Sequence, residues 1–431
     1  MAAPVIDHSS LYRLPWTLPD NGISWLEPTS ECNLVCDGCY RKNESGNHKS
    51  LEEVKRELDV FQRLRRSDCI SVAGGDPLVY PDIVPLVREI RERGFKAIVN
   101  TNGKALTPGL LHDLKRAGVF GFTFHVDSGQ RRGAPWDGKS ELELCDLRLK
   151  YALMLAREGG IACSFNSTVY AENIEHVPQL LDWAQQHMDI VHTMVFICFR
   201  HVVPDMPFEW WAGGRRVPWD EIWYHSDQKR KVTIGSQDLV RRMREVDPAF
   251  TPMAYLNGTH QPEALKWLVT ERIGNADRIF GYAGPRFAEL ATGFYHWRTG
   301  KYLSYASPAT CRHGRLAMAL LAPLDPGLER SAGRWLRWVV RRPLRAFRPV
   351  HLQSIMFIQP VDFTARGDQS MCDGCPDITV HEGQLVWSCR LEELKAYGSF
   401  LRTVPLEQEA VETQGPGTAA RAAGRGWAVD G

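Results

Sequence analysis

The feature that most constrains the fold of this chain is an alternation of short β-rich runs with amphipathic helical segments between residues 21 and 200. The predicted strands span 23–27, 69–73, 96–100, 121–126, 161–169 and 191–198. Between them, Ser50 with Glu53 and Thr107 with Pro108 are helix-start signals, and Gly118 is a stop signal. Repeated strand–helix alternation favours a parallel sheet with right-handed crossovers. The sequence therefore predicts an α/β fold, a partial (β/α)6 TIM-type barrel, followed by an irregular insertion and a small C-terminal cysteine-rich domain.

Three closely spaced cysteines, Cys32, Cys36 and Cys39, follow the first predicted strand. Thiolates suit iron–sulfur clusters, and a cubane [4Fe–4S] cluster normally takes four of them. A run of three leaves one iron with an open coordination position, which distinguishes a reactive metal centre from a closed structural one. Zinc is the alternative, but a zinc site of this kind usually finds a fourth Cys or His nearby. The nearest histidine, His48, lies beyond a polar stretch.

The spacing C-x3-C-x2-C, with Tyr40 at the aromatic position, resembles the signature of the radical S-adenosylmethionine (SAM) superfamily. The resemblance implies that Cys32, Cys36 and Cys39 hold a catalytic [4Fe–4S] cluster and that Tyr40 borders the cofactor. It also implies that SAM chelates the open iron and is cleaved reductively to methionine and a 5′-deoxyadenosyl radical, which abstracts hydrogen from a substrate. An enzyme of this type needs a reductase, such as a flavodoxin or ferredoxin, and a small-molecule, lipid or peptide substrate.

A second motif, Gly74-Gly75-Asp76-Pro77, ends the second predicted strand. Its glycines allow the backbone to approach a ligand closely, and their carbonyls can accept hydrogen bonds from an ammonium group. The motif resembles the Gly-Gly-Glu-Pro element of the same superfamily, which binds the SAM amino group, with Asp76 in place of the usual glutamate. Turns of this composition are also common without a ligand.

Polar side chains at the ends of later strands are further candidate cofactor contacts, because barrels of this type place their chemistry at the carboxyl ends of the strands. The candidates are Asn102, Asp127, Ser128 and Asn166. Asp127 and Ser128 resemble the polar end of the fourth strand in the superfamily. The alternative interpretation is structural, with the same residues serving as turn or helix-cap residues.

A second group of cysteines lies near the C-terminus: Cys311, Cys372, Cys375 and Cys389. Four thiolates suit either zinc or an auxiliary [4Fe–4S] cluster. The auxiliary cluster is favoured in a chain that resembles radical SAM enzymes, and the arrangement is similar to reduced SPASM and twitch extensions. Cys311 stands alone in the sequence, and His313 could replace it as a ligand.

The length of 431 residues predicts one large domain and smaller accessory parts. The expected divisions are an N-terminal arm at 1–20, a radical SAM core at 21–200, an aromatic-rich insertion at 201–305 that could cover the substrate, an auxiliary cluster domain at 306–400 and a disordered tail at 401–431. The formal net charge of +1 argues against a polyanionic partner, so no nucleic acid is expected. Since we find neither a secretory leader nor a membrane span, we expect a cytoplasmic protein.

An arginine series at positions 330, 334, 337, 341, 345 and 348 follows the helical period among tryptophans and aliphatic residues. A basic amphipathic helix of this kind suits the surface of an anionic bilayer. It could equally be a surface helix that packs on the protein by its apolar side. The sequence therefore predicts peripheral contact of residues 330–348 with the inner membrane surface as one of two alternatives, and membrane contact would favour a lipid or lipid-linked substrate.

Together these observations predict a radical SAM enzyme with an auxiliary cluster, acting on a lipid or a natural-product intermediate. The competing hypotheses are a zinc protein with two thiolate sites and an iron–sulfur electron carrier without SAM chemistry.

Overall fold

Six parallel strands form the centre of the computed structural model, which describes residues 5–37, 39–204, 206–226, 234–363 and 369–406. In chain order they are β1 (Ile23–Thr29), β2 (Cys69–Gly74), β3 (Lys96–Thr101), β4 (Val119–His125), β5 (Ala162–Val169) and β6 (Thr193–Cys198). Each strand pairs in parallel with the next one along the chain. The predicted strands are confirmed, with boundaries shifted by one or two residues.

Helical crossovers connect these strands. They are α1 (Leu51–Leu64), α2 (Ile83–Glu92), α3 (Pro108–Ala117), α4 (Cys145–Glu158) and α5 (Val177–Gln186). The capping box of Ser50 and Glu53 forms at the start of α1. Thr107 caps α3, which ends at Gly118 with a left-handed φ of 98°. The sequence predicts these helix ends correctly because the hydrogen bonds of a helix cap join residues only two to four positions apart.

The sheet continues beyond the six strands. Residues far along the chain add β7 (Ala254–Asn257), β8 (Leu265–Asn275), β9 (Arg278–Tyr282) and β10 (His351–Ile358). Strand β10 pairs in parallel with β6, and β8 pairs antiparallel with both β10 and β7. Strand β9 pairs with β8, and the two-residue strand Tyr12–Arg13 lies beside β7. The predicted α/β class and partial barrel are confirmed.

The remaining helices are α6 (Ser236–Val246), α7 (Pro285–Thr299), α8 (Pro308–Cys311), α9 (Gly314–Leu321), α10 (Pro326–Arg341) and α11 (Leu391–Tyr397). Short 3-10 helices lie at His8–Ser10, Pro77–Val79, Ile174–His176, Trp219–Glu221, Pro343–Phe347 and Ser388–Arg390. Small sheets outside the main one are formed by Phe208–Ala212 with Arg215–Val217 and Arg402–Pro405, by Val35–Cys36 with Gln130–Arg131, by Asp362–Phe363 with Gln369–Ser370, and by Ile378–His381 with Gln384–Trp387.

Two apolar cores lie on the two faces of the curved sheet. Ile70 and Val72 of β2 belong to the core that also contains side chains of α1 to α6. Cys69 of the same strand belongs to the second core, together with residues of α7, α9 and α10. Alternate residues of a strand point to opposite faces. The sheet is therefore covered by crossover helices outside and partly filled from inside by the 285–341 region.

The observed divisions differ from those expected from the sequence. The sheet does not end near residue 200, because β7 to β10 come from the segments assigned to the insertion and to the auxiliary cluster domain. The expected tail at 401–431 starts with a strand, Arg402–Pro405, that pairs with Phe208–Ala212. Residues 407–431 lie outside the described part of the chain. Among the described residues, no helix is both long enough and apolar enough to span a bilayer.

Candidate active site

A cavity of about 300 Å³ lies at the carboxyl ends of the parallel strands. Residues at or just beyond the ends of β2 to β6 contribute to its walls. Two sets of three cysteines also line it, namely Cys32, Cys36 and Cys39 together with Cys372, Cys375 and Cys389. The structure thus brings the N-terminal motif and most of the C-terminal cysteine group to one space.

The N-terminal cysteine loop is held in place at several points. Val35 and Cys36 pair with Arg131 and Gln130 as short antiparallel strands. The backbone N–H of Cys32 donates a hydrogen bond to the side-chain oxygen of Asn43 at 2.9 Å. Cys39 presents its side chain to the cavity, whereas Val35 of the same loop is 61% exposed and does not line the cavity, which leaves one side of the loop accessible.

Burial keeps thiols of this loop protonated in the absence of a cationic partner. Burial raises the pKa of Cys32 to about 11, and it also raises the pKa of Cys36. Thiols of this kind stay protonated at neutral pH unless a cationic centre stabilises the thiolates. Three soft donors on one short loop are the ligand type that iron–sulfur clusters take. This donor set fits a cluster.

Gly74 and Gly75 pack against the backbone that leads into the cysteine loop. Gly74 has a φ of 105°, and a Cβ atom there would lie 2.3 Å from the carbonyl oxygen of Thr29. A Cβ atom on Gly75 would lie 2.0 Å from the carbonyl oxygen of Glu31. The Gly75 N–H donates to the Thr29 carbonyl at 2.8 Å. The glycines are therefore required for the turn to reach the loop, in addition to lining the cavity.

The side chain of Asp76 is engaged by other groups of the protein. Its buried carboxylate accepts hydrogen bonds from the Thr101 hydroxyl at 2.8 Å, from the Asn102 N–H at 2.8 Å and from the Leu78 N–H at 2.9 Å. It thereby ties the end of β2 to the end of β3. A shorter carboxylate at this position suits contacts within the turn.

Asn102 contacts the cysteine loop directly. Its side-chain amide lies 3.7 Å from the Cys32 sulfur and donates to the Asn33 side-chain oxygen at 2.7 Å. Its carbonyl oxygen accepts from the Arg132 guanidinium at 3.0 Å. Asn102 lines the cavity, but its contacts make it a support of Cys32.

The side-chain oxygen of Asn166 and the indole nitrogen of Trp25 are buried polar atoms of the cavity wall that find no hydrogen-bond partner among the described residues. Unsatisfied buried polar atoms are rare in folded proteins, and a bound polar ligand commonly satisfies them. Tyr40 also lines the cavity. The Arg41 guanidinium lies 4.9 Å from the centre of the Tyr40 ring. Asn166, Trp25 and Tyr40 thus face the cavity.

Asp127 and Ser128 do not line the cavity. Asp127 holds His125, whose ring nitrogen lies 2.6 Å from its carboxylate, and it accepts from the Thr168 N–H at 3.1 Å. Although burial favours the protonated acid, His125 and Thr168 hold the pKa of Asp127 down at about 2. Ser128 is exposed. It is therefore His125 and Thr168 that face the cavity from this edge, with Asp127 behind them.

The C-terminal thiol group is clamped onto the barrel. The Asn21 amide donates to the Gly374 carbonyl at 3.0 Å, and Arg65 donates to the Cys375 carbonyl at 3.4 Å. A hydrogen bond with Cys372 and burial raise the pKa of Cys375 well above its usual range, and burial raises the pKa of Cys389 to about 12. Cys375 and Cys389, like Cys32 and Cys36, need a cationic centre to ionise at neutral pH.

The structure does not bring Cys311 to this group. Cys311 is buried at the end of α8, and it is absent from the cavity wall. Burial raises its pKa to about 12, with a contribution from the nearby Glu271 of β8. His313 forms a backbone bridge to Val350 just before β10. The fourth predicted C-terminal ligand thus lies elsewhere in the fold.

Arg41 connects the two cysteine regions. This buried guanidinium forms an ion pair with Glu27 on β1 and a second one with Glu392 at 3.2 Å. It also donates to the carbonyl oxygen of Ser388 at 2.7 Å, next to Cys389. A single side chain immediately after the N-terminal motif therefore positions the segment that carries the last C-terminal cysteine.

Sequence reasoning did not select several residues of the cavity wall. They include Trp25, His125, Thr168, Arg200, Trp267 and Glu393. His125 and Thr168 carry a usable signal, since both sit at the end of a predicted strand. Trp267 and Glu393 reach the cavity only through long-range packing. Among the described residues, we find no group of three or more His, Cys, Asp or Glu side chains that could hold a single metal ion.

Residues 26–184 match the family model described as the Radical SAM superfamily. An AdoMet-dependent heme synthase of Methanosarcina barkeri is 26% identical over 184 residues, covering 41% of this chain and 50% of the relative. The PqqA peptide cyclase of Gluconobacter oxydans is 28% identical over 193 residues, covering 42% of this chain and 52% of the relative. The chain thus matches about half the length of these curated relatives.

Among solved structures, SuiB of Streptococcus suis bound to the precursor peptide SuiA is similar to this chain with a TM-score of 0.38 and 16% sequence identity. The superposition covers 53% of this chain and 46% of SuiB.

Proposed function

Residues 26–184 of this chain are a radical SAM domain, and we propose that the protein cleaves SAM reductively at a [4Fe–4S] cluster held by Cys32, Cys36 and Cys39. The domain confirms the resemblance that the cysteine motif predicted. Domains of this superfamily use a [4Fe–4S] cluster and SAM and are found in enzymes, including the relatives named as heme synthases and a peptide cyclase.

The observation that carries the proposal is the shared cavity. Three thiols of the N-terminal loop line it together with three thiols from the C-terminal region. When bound, the N-terminal cluster supplies the electron that cleaves SAM to methionine and a 5′-deoxyadenosyl radical. A substrate in the same cavity is within reach of hydrogen abstraction, because the cavity walls confine both molecules to one space.

Three kinds of residue support this chemistry. Asn166, Trp25 and Tyr40 face the cavity and are proposed to contact SAM. Gly74 and Gly75 bring their turn to the cavity edge, where their carbonyls are available to the SAM ammonium group. Asp76, Asn102 and Asp127 are proposed as positioning residues, because their side chains hold the strand ends and the cysteine loop.

We propose that Cys372, Cys375 and Cys389 hold an auxiliary iron–sulfur cluster. The support is their common position on the cavity wall. Since Cys311 lies elsewhere, this cluster has three cysteine ligands in our proposal. One iron is then left for a ligand other than cysteine, and a substrate heteroatom in the cavity could take that position.

The cavity walls suggest the character of the substrate. Apolar side chains form part of the lining, among them Ile197, Trp267, Ile358 and Met371. We propose an organic substrate whose apolar portion packs there. A peptide side chain, a lipid and a natural-product intermediate all satisfy this description, and a peptide has the added support of the relative named as a peptide cyclase.

The proposed electron donor is a reductase such as a flavodoxin or ferredoxin. The accessible side of the N-terminal loop, marked by the exposed Val35, is the proposed docking point. We also propose a cytoplasmic location. Peripheral membrane contact is a separate proposal that rests on a different surface of the molecule.

Anaerobic reconstitution with iron and sulfide tests the proposed chemistry. We expect a brown protein with about eight irons per chain, the number for two [4Fe–4S] clusters. It should release 5′-deoxyadenosine from SAM on reduction. A colourless protein loaded with zinc would support the zinc hypothesis, and a coloured protein that leaves SAM intact would support an electron carrier. A product screen comparing peptides, membrane extracts and soluble metabolites would then identify the substrate class.

A further inference from the structure

The region from α9 to the start of β10 has an unusual surface composition. Residues 330–348 contain seven arginines and no lysine, aspartate or glutamate. In the structure, helix α10 is followed directly by the 3-10 helix Pro343–Phe347. The arginines at 330, 334, 337, 341, 342 and 348 are exposed, and Arg345 is partly exposed. This surface therefore carries concentrated positive charge in a chain whose formal net charge is +1.

Several of these arginines line one groove of about 900 Å³. Its walls include Trp338 and Leu344 together with Arg278, Arg341, Arg342, Arg345 and Arg348. Asp277 is the acidic residue in the wall, and it forms an ion pair with Arg348. Among the described residues, the other arginines of 330–348 form no ion pair. The groove is thus strongly positive and suits phosphate groups.

Exposed apolar side chains lie next to this groove. Leu344 and Phe347 are each 81% exposed, and Val340 is 78% exposed. Leu316 and Leu320 on the neighbouring helix α9 are 52% and 63% exposed. Single exposed apolar residues are ordinary, but a contiguous group of them marks an interaction surface. The alternative considered for residues 330–348, a helix packed on the protein, holds only for its inner side, where Leu328, Ser331 and Trp338 are buried.

This surface lies at the opposite end of the sheet from the cavity. Lys96, the first residue of β3, donates to the Tyr305 carbonyl at 2.8 Å. Asp68, just before β2, accepts from the Tyr295 hydroxyl at 2.7 Å. The Gly314 N–H of α9 donates to the carbonyl of Val350, just before β10, at 3.0 Å, and Trp338 of α10 packs against Phe280 of β9 with ring centres 5.3 Å apart. Residues 285–350 therefore lie at the amino ends of the parallel strands, whereas the cavity lies at their carboxyl ends. A strand of six residues separates the two ends by about 20 Å.

We propose that the groove and its apolar rim, formed by α9, α10 and residues 343–348, dock the protein onto an anionic phospholipid surface. The arginines contact lipid phosphates, while Leu344, Phe347 and Val340 enter the boundary between headgroups and acyl chains. Nucleic acid would pair with the arginines but leave the apolar rim in water. A bilayer offers phosphates to the arginines and an apolar environment to the rim, so it accounts for both parts of the surface. Docking in this orientation points the cavity away from the membrane. The docking proposal does not depend on the chemistry proposed for the cavity.

The experiment uses the full chain, reconstituted anaerobically, in vesicle co-sedimentation. Vesicles of phosphatidylcholine alone are compared with vesicles that also contain phosphatidylglycerol. We expect binding to the anionic vesicles, little binding to the neutral ones, and weaker binding at high salt because exposed charges are screened. A duplex RNA of similar charge is included as a competing ligand, and inorganic phosphate shows whether the free ion displaces the lipid.

Two variants and a control locate the binding surface. The triple variant Arg337→Gln, Arg341→Gln, Arg342→Gln should weaken binding to anionic vesicles at least about 100-fold, at roughly fivefold for each arginine. The control Arg56→Gln, Arg63→Gln, Arg157→Gln removes the same charge from exposed positions on α1 and α4 and should bind nearly as the parent does. The variant Leu344→Ser, Phe347→Ser keeps the charge and should weaken binding more than tenfold.

Equal losses in the triple variant and the control would overturn the proposal, as would binding to neutral vesicles as strong as to anionic ones. Binding of RNA without binding of vesicles would assign the surface to nucleic acid instead. Release of 5′-deoxyadenosine, measured in parallel, should be unchanged in all three variants, because none of them alters the cavity. Loss of vesicle binding with intact SAM cleavage therefore reports on this surface alone.

Discussion

The loop that carries Cys32, Cys36 and Cys39 is open on one side, whereas the segment that carries Cys372 and Cys375 is clamped by Asn21 and Arg65. Both face the same cavity. A centre that must admit SAM and an electron donor needs an accessible side. A centre that only has to keep its place beside a substrate gains from rigid anchoring. The difference supports our proposal that the N-terminal loop carries the initiating chemistry and that the C-terminal thiols have a supporting role.

The largest effect is expected at the open loop. Cys36→Ala removes one of three ligands that have no substitute on the loop, so the catalytic cluster should be lost. Release of 5′-deoxyadenosine should fall at least about a thousandfold. The iron content should fall by about half, because the C-terminal site remains. Retention of SAM cleavage in this variant would contradict the assignment of the two sites.

Cys375→Ala should separate the two roles. We expect loss of the second cluster and of product formation, while 5′-deoxyadenosine release continues within about tenfold of the parent. Iron analysis and single-turnover assays measure both quantities. Cys311→Ala is the matched control, since Cys311 is equally buried but lies away from the cavity. Loss of iron in the control would restore Cys311 as a ligand.

Arg41 tests whether the two loops depend on one another. Arg41→Met leaves Glu27 buried without its cation, while Glu392 keeps its ion pair with Lys395. The change should lower the free energy of unfolding by about 3–5 kcal/mol. Denaturant unfolding under anaerobic conditions measures this change. Arg63→Met, on the exposed face of α1, should change it by less than about 0.5 kcal/mol. Similar values for the two variants would mean that the link between the loops carries little energy.

The smallest effect is expected at Asn102. Asn102→Ala removes the amide that lies beside the Cys32 sulfur but keeps the backbone N–H that Asp76 requires. SAM cleavage should fall about tenfold, the lower end of the range for residues that support metal ligands. The midpoint potential of the catalytic cluster should shift, while the melting temperature stays close to that of the parent. A change in melting temperature without a change in potential would make the role of Asn102 purely structural.

Local patterns predicted much of the fold and part of the site. The capping box at Ser50, the start of α3 at Thr107 and its end at Gly118 were predictable because each depends on neighbours in sequence. Predicted strand ends also identified the positions of Asn102 and Asn166 on the cavity wall. The roles of Asp76 and Asp127 were not predictable, because the carboxylate of Asp76 is used by Thr101 and Asn102 at the end of β3 and that of Asp127 by Thr168 of β5.

By itself, the sequence determined the central alternation of strands and helices and the presence of three thiols on one short loop. Both are properties of neighbouring residues. Only the tertiary structure decided which C-terminal cysteines join that loop at the cavity and that the arginine-rich helix lies at the other end of the sheet. Those placements depend on β8 and β10 pairing beside β6, and strand order arises from contacts between residues far apart in the chain.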